Sequence, residues 1–181
     1  MVDPKFSSAI NIILVAFYAR DAALPCPYTD REWLENFLYF FNSAAKRYSS
    51  QASQIHLLPF TLKRGYDGKI ITHDLIIRFS NLMSYDTRSH WNDEQLGRYL
   101  GMDDVNTKNF LTNHNCAFEA VEVYTGVAIF HELIARSFMT RKKYEEFCSQ
   151  CGKMVQRWNE VMVMLNLKYR FEAKIGPIVH G

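Results

Sequence analysis

Cys148 and Cys151 stand three residues apart, the spacing at which two thiolates can share a zinc ion or exchange a disulfide. A structural zinc site needs four ligands, and the remaining cysteines, Cys26 and Cys116, are isolated and form no second pair. Both sulfurs also fall on the apolar stripe of a helical pattern, so core packing is the expectation: buried, unbonded and free of metal. His131-Glu132 opens a metalloprotease pattern, but the histidine required one helical turn later is Ala135, and two imidazoles cannot converge there. His56, His73, His90, His114 and His180 share no spacing. No Gly-x-Gly-x-x-Gly, phosphate loop or Gly-x-Ser-x-Gly occurs, and Gly65-x-x-Gly68 reads as turn chemistry. The residue chemistry predicts a protein that is not an enzyme, with no cofactor, no metal and no small-molecule substrate.

What remains is charge. The net charge is only +2, yet Arg136 to Gly181 holds nine Lys or Arg against four Glu, so this segment carries +5 and the first 135 residues carry −3. Arg141, Lys142, Lys143, Lys153, Arg157, Lys168, Arg170 and Lys174 are therefore the candidate contact for an anionic partner. A basic helix face is also what ordinary solvated surface looks like.

The elements that carry these residues are the clearest in the chain. Tyr144, Phe147, Cys148, Cys151, Met154, Val155, Trp158, Val161, Met162 and Leu165 recur at spacings of three and four, which puts them on one face of a long amphipathic helix. After Asn166 the period changes to two. Leu167, Tyr169, Phe171, Ala173 and Ile175 alternate with Lys168, Arg170, Glu172 and Lys174, which predicts a terminal strand over Leu167 to Ile175 in an antiparallel sheet. Tyr169 and Phe171 should face inward and Lys168 and Arg170 outward. Gly176-Pro177 is expected to stop the strand.

A length of 181 residues predicts one domain, helical over residues 1–50 and sheet-containing over residues 51–181. Asp3-Pro4 suits a cap followed by proline at the first helical position, and Phe6, Ile10, Ile13, Leu14 and Phe17 form a stripe that Pro25 and Pro27 should end. The apolar run Ala9 to Ala19 is too short to span a membrane and reads as a buried helix. Thr29 and Glu32 have capping-box spacing ahead of Trp33, Phe37, Phe40, Phe41, Ala44 and Tyr48, a second helix followed by a polar connector over Ser49 to Ser53. Ile55 to Leu62 and Lys69 to Phe79 flank a Gly- and Asp-rich turn and predict a hairpin, with Ile71, Leu75, Ile77 and Phe79 on one face and Pro59 at an edge or bulge. Ser89 to Leu100 reads as a short helix with Asp93 and Glu94 in its first turn, stopped by Gly101, and the polar Met102 to Asn115 as a surface loop. Phe118 to Phe138 fits either period. Its β-branched residues and central Gly126 favour strand for the first half. The fold class expected is α+β. Few, scattered cysteines and the lack of any Asn-x-Ser/Thr sequon suit a reducing compartment and a protein that is not secreted.

Over its C-terminal two thirds the chain resembles rhabdovirus matrix proteins. Ser89-His90-Trp91 and Gly101-Met102, after the apolar strand Asp74 to Phe79, resemble the serine-histidine-tryptophan and glycine-methionine elements of the animal-virus members. Tyr124-x-Gly126 opens a β-like run, and Trp158-Asn159-Glu160 leads through Met164 and Leu165 into Leu167 to Ile175, similar to that family's last helix and strand. The Pro-Pro-x-Tyr late motif is absent, which fits a divergent, plant-virus-like member. The resemblance implies a viral assembly protein that self-associates and bridges the nucleocapsid to an anionic membrane surface, found in host cytoplasm, virion and the inner membrane face, with host proteins as further partners. A second resemblance holds if Phe118 to Phe138 is helical: with Tyr144 to Leu165 it is then similar to the central hairpin of viral Bcl-2-like proteins, which bind host helices. The predicted hairpin and terminal strand do not belong in that fold, and its Asn-Trp-Gly-Arg signature is missing.

Overall fold

Asp3 begins the first helix, its Oδ1 accepting from the backbone N–H of Lys5 and Phe6 at 2.9 and 3.4 Å, with Pro4 at the first helical position. The computed structural model describes residues 3–47, 51–101, 118–125, 134–136 and 141–178, with side chains over 3–47, 51–101 and 152–172. By its internal contacts the chain forms two compact units, Asp3–Gly101 and a second drawn from residues 102–181. The hairpin belongs with the two N-terminal helices. The class is α+β.

Helix α1 (Pro4–Ala16) is buried on several sides through Ile10, Ile12, Leu14, Val15 and Ala16, as its apolar run predicts. It stops well before Pro25. Tyr18 takes the left-handed conformation at φ 62°, and Ala19 N–H bonds back to Leu14 O at 2.9 Å. A residue with a Cβ is strained there. The buried Arg78 holds the turn: its Nη1 donates to Val15 O at 3.0 Å and Arg20 O at 2.8 Å, and its Cζ lies 4.5 Å from the Tyr18 ring centroid. Helix α2 (Arg31–Arg47) is capped one residue later than its sequence suggests. Asp30 Oδ1 accepts from Trp33 N–H at 2.8 Å, while Thr29 Oγ1 bonds Ser8 Oγ at 2.6 Å and Pro4 O at 3.0 Å. The predicted Thr29/Glu32 capping box therefore does not form, because Thr29 ties α1 to the preceding loop.

Strands β1 (Ala22–Ala23), β2 (Ile55–Lys63), β3 (Ile70–Arg78) and β4 (Trp91–Asn92) form a four-stranded sheet in the order β1-β3-β2-β4. The hairpin runs in unbroken antiparallel register from Ile55↔Arg78 to Lys63↔Ile70, so Pro59 sits in no bulge. Its turn is closed by Arg64 N–H to Lys69 O at 2.9 Å with Gly68 at φ +67°, a conformation that favours glycine. Leu75, Ile76 and Ile77 are all fully buried, because both faces of this sheet are covered. Ile76 joins Ile12, Val15, Leu34, Leu38 and Ile55 beneath α1 and α2. Leu75 and Ile77 join Leu58, Phe60, Leu62 and Trp91 on the opposite side. Phe79, expected on that face, is the first residue of a 3-10 helix (Phe79–Ser84) and is 59% exposed.

The outer edge of β2 explains Pro59. Phe79 N–H bonds Gln54 O at 2.8 Å, so even-numbered β2 residues turn their backbone toward β3 and odd-numbered ones outward. Outward Ile55 is bridged on both backbone atoms by Asn42, with Ile55 N–H to Oδ1 at 2.8 Å and Nδ2 to Ile55 O at 2.9 Å. Pro59 has no N–H to leave open, and Leu62 and Lys63 pair in parallel with β4. Ile55, Pro59 and the β4 end thus leave few open N–H groups along an edge that would otherwise recruit another chain.

Trp91 begins β4, where a helix was expected from Ser89; the helix α3 (Asp93–Tyr99) starts later, capped by Asn92 Oδ1 on Gln95 N–H at 2.7 Å. Asp93 and Glu94 occupy its first turn and Gly101, at φ +83°, follows its end, as predicted. Trp91 Nε1 donates to Asp86 O at 2.7 Å, and Arg88 closes that loop by donating to both carboxylate oxygens of Asp86 at 3.0 Å. These bonds hold the Asp86 carboxyl down at about 2. A value depressed on folding means the contribution is present above about pH 4 and fades as pH falls toward the folded value. NMR titration of Asp86 is expected to give the depressed midpoint and Arg88→Ala to restore an ordinary one.

In the second unit, β5 (Phe118–Thr125), β6 (Ile134–Arg136) and β7 (Phe171–Ile178) form an antiparallel sheet in the order β6-β5-β7. β5 is therefore a strand, as its β-branched residues favour. Helix α4 spans Arg141–Met164. β7 differs from its expected span: pairing begins at Phe171↔Thr125 and continues through Gly176 and Pro177 to Ile178↔Phe118. Proline is tolerated because β7 is an edge strand whose outer N–H groups need no partner. The expected loop Met102 to Asn115, the connector's Ser49 and Ser50, His131-Glu132 and the side chains of Cys116, Cys148 and Cys151 lie outside the described residues.

Candidate anionic-contact surface

The second half of α4 and the segment leading into β7 carry the described part of the predicted basic set. Val155, Trp158, Val161 and Met162 are buried, and Trp158 meets Phe171 edge-on at 5.2 Å. The opposite face exposes Lys153, Gln156, Arg157, Glu160, Val163 and Met164. The helix closes with Asn166 in the left-handed conformation at φ 54° and Leu167 N–H on Met162 O at 2.9 Å. From Leu167 to Glu172 exposure alternates as predicted: Lys168, Arg170 and Glu172 are exposed, Leu167 and Tyr169 half-buried, Phe171 buried. Leu167 to Arg170 do not pair in the sheet, so this alternation belongs to an extended lead-in.

Asn159 fixes that lead-in. Phe171 N–H donates to its Oδ1 at 2.7 Å and its Nδ2 donates to Phe171 O at 3.0 Å, the same two-bond clamp that Asn42 makes on Ile55. Asn159→Ala strands two partly buried backbone groups and is expected to cost about 1–3 kcal/mol. Urea denaturation checks this, with Asn159→Asp intermediate because a carboxylate accepts from the N–H but cannot donate to the carbonyl.

Among the described residues no carboxylate forms an ion pair with Lys153, Lys168 or Arg170. Arg170 Nη1 donates to Leu167 O at 2.6 Å and Tyr169 O at 2.7 Å, which bends the guanidinium over the lead-in with its charge uncancelled. Lys168 Nζ lies 5.8 Å from the Tyr169 ring centroid. Lys174 is placed differently: it lies within β7, and its register partner in β5 is Glu122. Arg141, Lys142 and Lys143 form the start of α4, and their side chains lie outside the described residues.

Sequence reasoning missed the apolar part of this surface. Val163 is 60% and Met164 50% exposed at the end of α4, a few residues before Lys168 and Arg170. Neither residue belongs to the apolar stripe that ends in Val161, Met162 and Leu165. It also missed a cleft of 320 Å³ lined by Asn92, Glu94, Gln95, Arg98 and Tyr99, where Glu94 and Arg98 pair with each other at 2.9 Å. Among the described residues no group of three or more His, Cys, Asp or Glu could hold a metal ion, and no helix is long and apolar enough to cross a membrane. No protein-family model, no curated protein and no solved structure matches the chain.

Proposed function

We propose that this chain is a non-enzymatic, matrix-like viral assembly protein that self-associates and holds an anionic membrane surface against a nucleocapsid, working in host cytoplasm and virion at the inner membrane face. Its long C-terminal helix and terminal strand supply the contact, and no catalytic residue is required. One observation carries the reading: Lys168 and Arg170 are exposed, with no acidic partner among the described residues, a few residues after the exposed aliphatic pair Val163 and Met164, and Lys153 is exposed in the same way earlier on α4. Cations draw this surface to acidic headgroups at about 1 kcal/mol each, and a small apolar step can then enter the headgroup layer. Three cations in the first turn of α4 point the same way, since they oppose the helix dipole unless an anion relieves them.

The second reading, a Bcl-2-like protein that captures host helices, needs Phe118 to Phe138 helical. Phe118–Thr125 pairs along its whole length with β7, which favours the first reading.

Vesicle flotation tests the choice. Vesicles containing phosphatidylserine are expected to capture the protein and pure phosphatidylcholine vesicles to leave it, with capture falling steeply as salt shortens the Debye length toward about 8 Å and below. Val163→Ser with Met164→Ser should weaken vesicle capture and leave the circular dichroism spectrum unchanged. Salt-insensitive capture of an amphipathic helix with no affinity for acidic vesicles decides for the alternative.

A further inference from the structure

Helix α2 exposes more aromatic surface than a solvated helix face requires. Phe40 is 70% and Tyr39 71% exposed, while Trp33, Phe37 and Phe41 form a stacked ladder only partly covered by the core, with centroids 5.2 and 6.1 Å apart. Trp33, Phe37, Phe40, Ala44 and Arg47 follow one another at spacings of four, three, four and three, the seam of a two-helix coiled contact. The core-facing residues Leu34, Leu38 and Ala45 lie on the neighbouring face, so Phe40, Ala44 and Arg47 are exposed while Trp33 and Phe37 are half-buried against the core, Lys5 Nζ lying 5.7 Å from the Trp33 ring centroid.

The charges of α2 are polarised along its length. Asp30, Glu32 and Glu35 sit at its start, where Arg31 is engaged by Glu35 and Asp74 at 2.9 and 2.6 Å. Lys46 and Arg47 sit exposed at its end. An antiparallel pair of identical helices sets Arg47 of each against Asp30 of the other on the seam; Glu32, Glu35 and Lys46 lie on the outer face and favour this orientation only through the net charge of each end. The same alignment seats the large Trp33 over the small Ala44 and Phe37 against Phe40. A parallel pair would bring like charges together at both ends.

We propose that α2 is a self-association surface, pairing antiparallel about a twofold axis with α2 of a second copy of this chain through Trp33, Phe37, Phe40 and Ala44. This inference rests on the assembly reading above and names the surface through which copies join. The seam covers only a few turns, so each contact is weak and its effect grows with the number of copies aligned on a surface.

Sedimentation equilibrium on the full chain tests it. Wild type is expected to show a monomer–dimer equilibrium, and Phe40→Glu to raise the dissociation constant about 30-fold or more, as for a central aromatic anchor. Two further variants separate pairing from misfolding: Lys46→Glu with Arg47→Glu, and Glu32→Lys with Glu35→Lys. Each alone should stay monomeric with an unchanged circular dichroism spectrum, and an equimolar mixture should associate, since only the mixed pair restores opposite charges at both ends. Association that survives Phe40→Glu, or a mixture that stays monomeric, overturns the inference while leaving self-association through another surface. Failure of the assembly reading looks different: a monomer in every variant and no capture by acidic vesicles. A heterologous host partner binding the wild-type α2 face, with no self-association, also overturns it.

Discussion

Changing Lys153, Lys168 and Arg170 together to Glu is expected to abolish capture by phosphatidylserine vesicles, a loss of more than about a hundredfold. Each cation near an acidic surface contributes about 1 kcal/mol, and reversal replaces that attraction with a repulsion, so three reversals change the interaction by several kcal/mol. The three side chains are exposed and carry no ion pair among the described residues, so folding stability should change little. The thermal midpoint is the control, because a drop of many degrees would mean that lost binding reports lost fold. Lys174→Glu is expected to behave in the opposite manner, with little effect on vesicle capture and a measurable loss of stability. In register it is paired with Glu122, and like charges at paired positions of a ladder are destabilising. Equal binding losses for Lys174→Glu and for the triple reversal would show that net charge, and not these three positions, governs attachment.

Trp91→Ala is expected to unfold the Asp3–Gly101 unit or bring it close to unfolding at physiological temperature. Trp91 is fully buried, stacks on Phe60 at 4.3 Å, meets Tyr99 edge-on at 4.6 Å and donates its indole N–H to Asp86 O at 2.7 Å. Truncating such a side chain costs about 3–5 kcal/mol against a whole-domain stability of about 5–15 kcal/mol. For a unit of this size that corresponds to a fall in midpoint of roughly 15–30 °C. Trp91→Phe keeps the ring contact and loses the indole donor, so it should fall between. Hydrogen exchange locates the effect: protection should be lost in β2, whose Leu62 and Lys63 pair with β4, and in β3 beside it. A melt unchanged by Trp91→Ala would mean that the cluster of Phe60, Tyr85, Tyr99 and Trp91 does not hold the sheet's second face.

Much of this fold is legible in local chemistry. Asp3-Pro4 starts α1, the Asp-Gly turn closes β2 on β3, Asp93 and Glu94 open α3, and the β-branched run at Phe118–Thr125 is a strand. The alternation from Leu167 to Glu172 also reads correctly as exposure, although pairing begins only at Phe171. Exposure follows from which side chains avoid water. Pairing depends on where a partner strand ends. For the candidate site, residue type singled out Lys153, Lys168 and Arg170 as candidates, and nothing in their spacing could say that Lys174 would pair in register with Glu122 or that Val163 and Met164 would be exposed.

The amino-acid sequence by itself determined the periods, the turns and the segregation of positive charge toward the C-terminus, because these depend on neighbours a few residues apart. Tertiary structure alone decided where elements stop and which polar groups pair. Thr29 loses its capping role to Asp30 because Ser8, distant in sequence, occupies its hydroxyl. α1 ends at a left-handed Tyr18 because Arg78, from the far end of β3, holds the released carbonyls. Asn42 and Asn159, unremarked by any local pattern, clamp the first residues of β2 and β7. In each case a backbone group removed from water must find a partner, and only the folded arrangement brings that partner within reach.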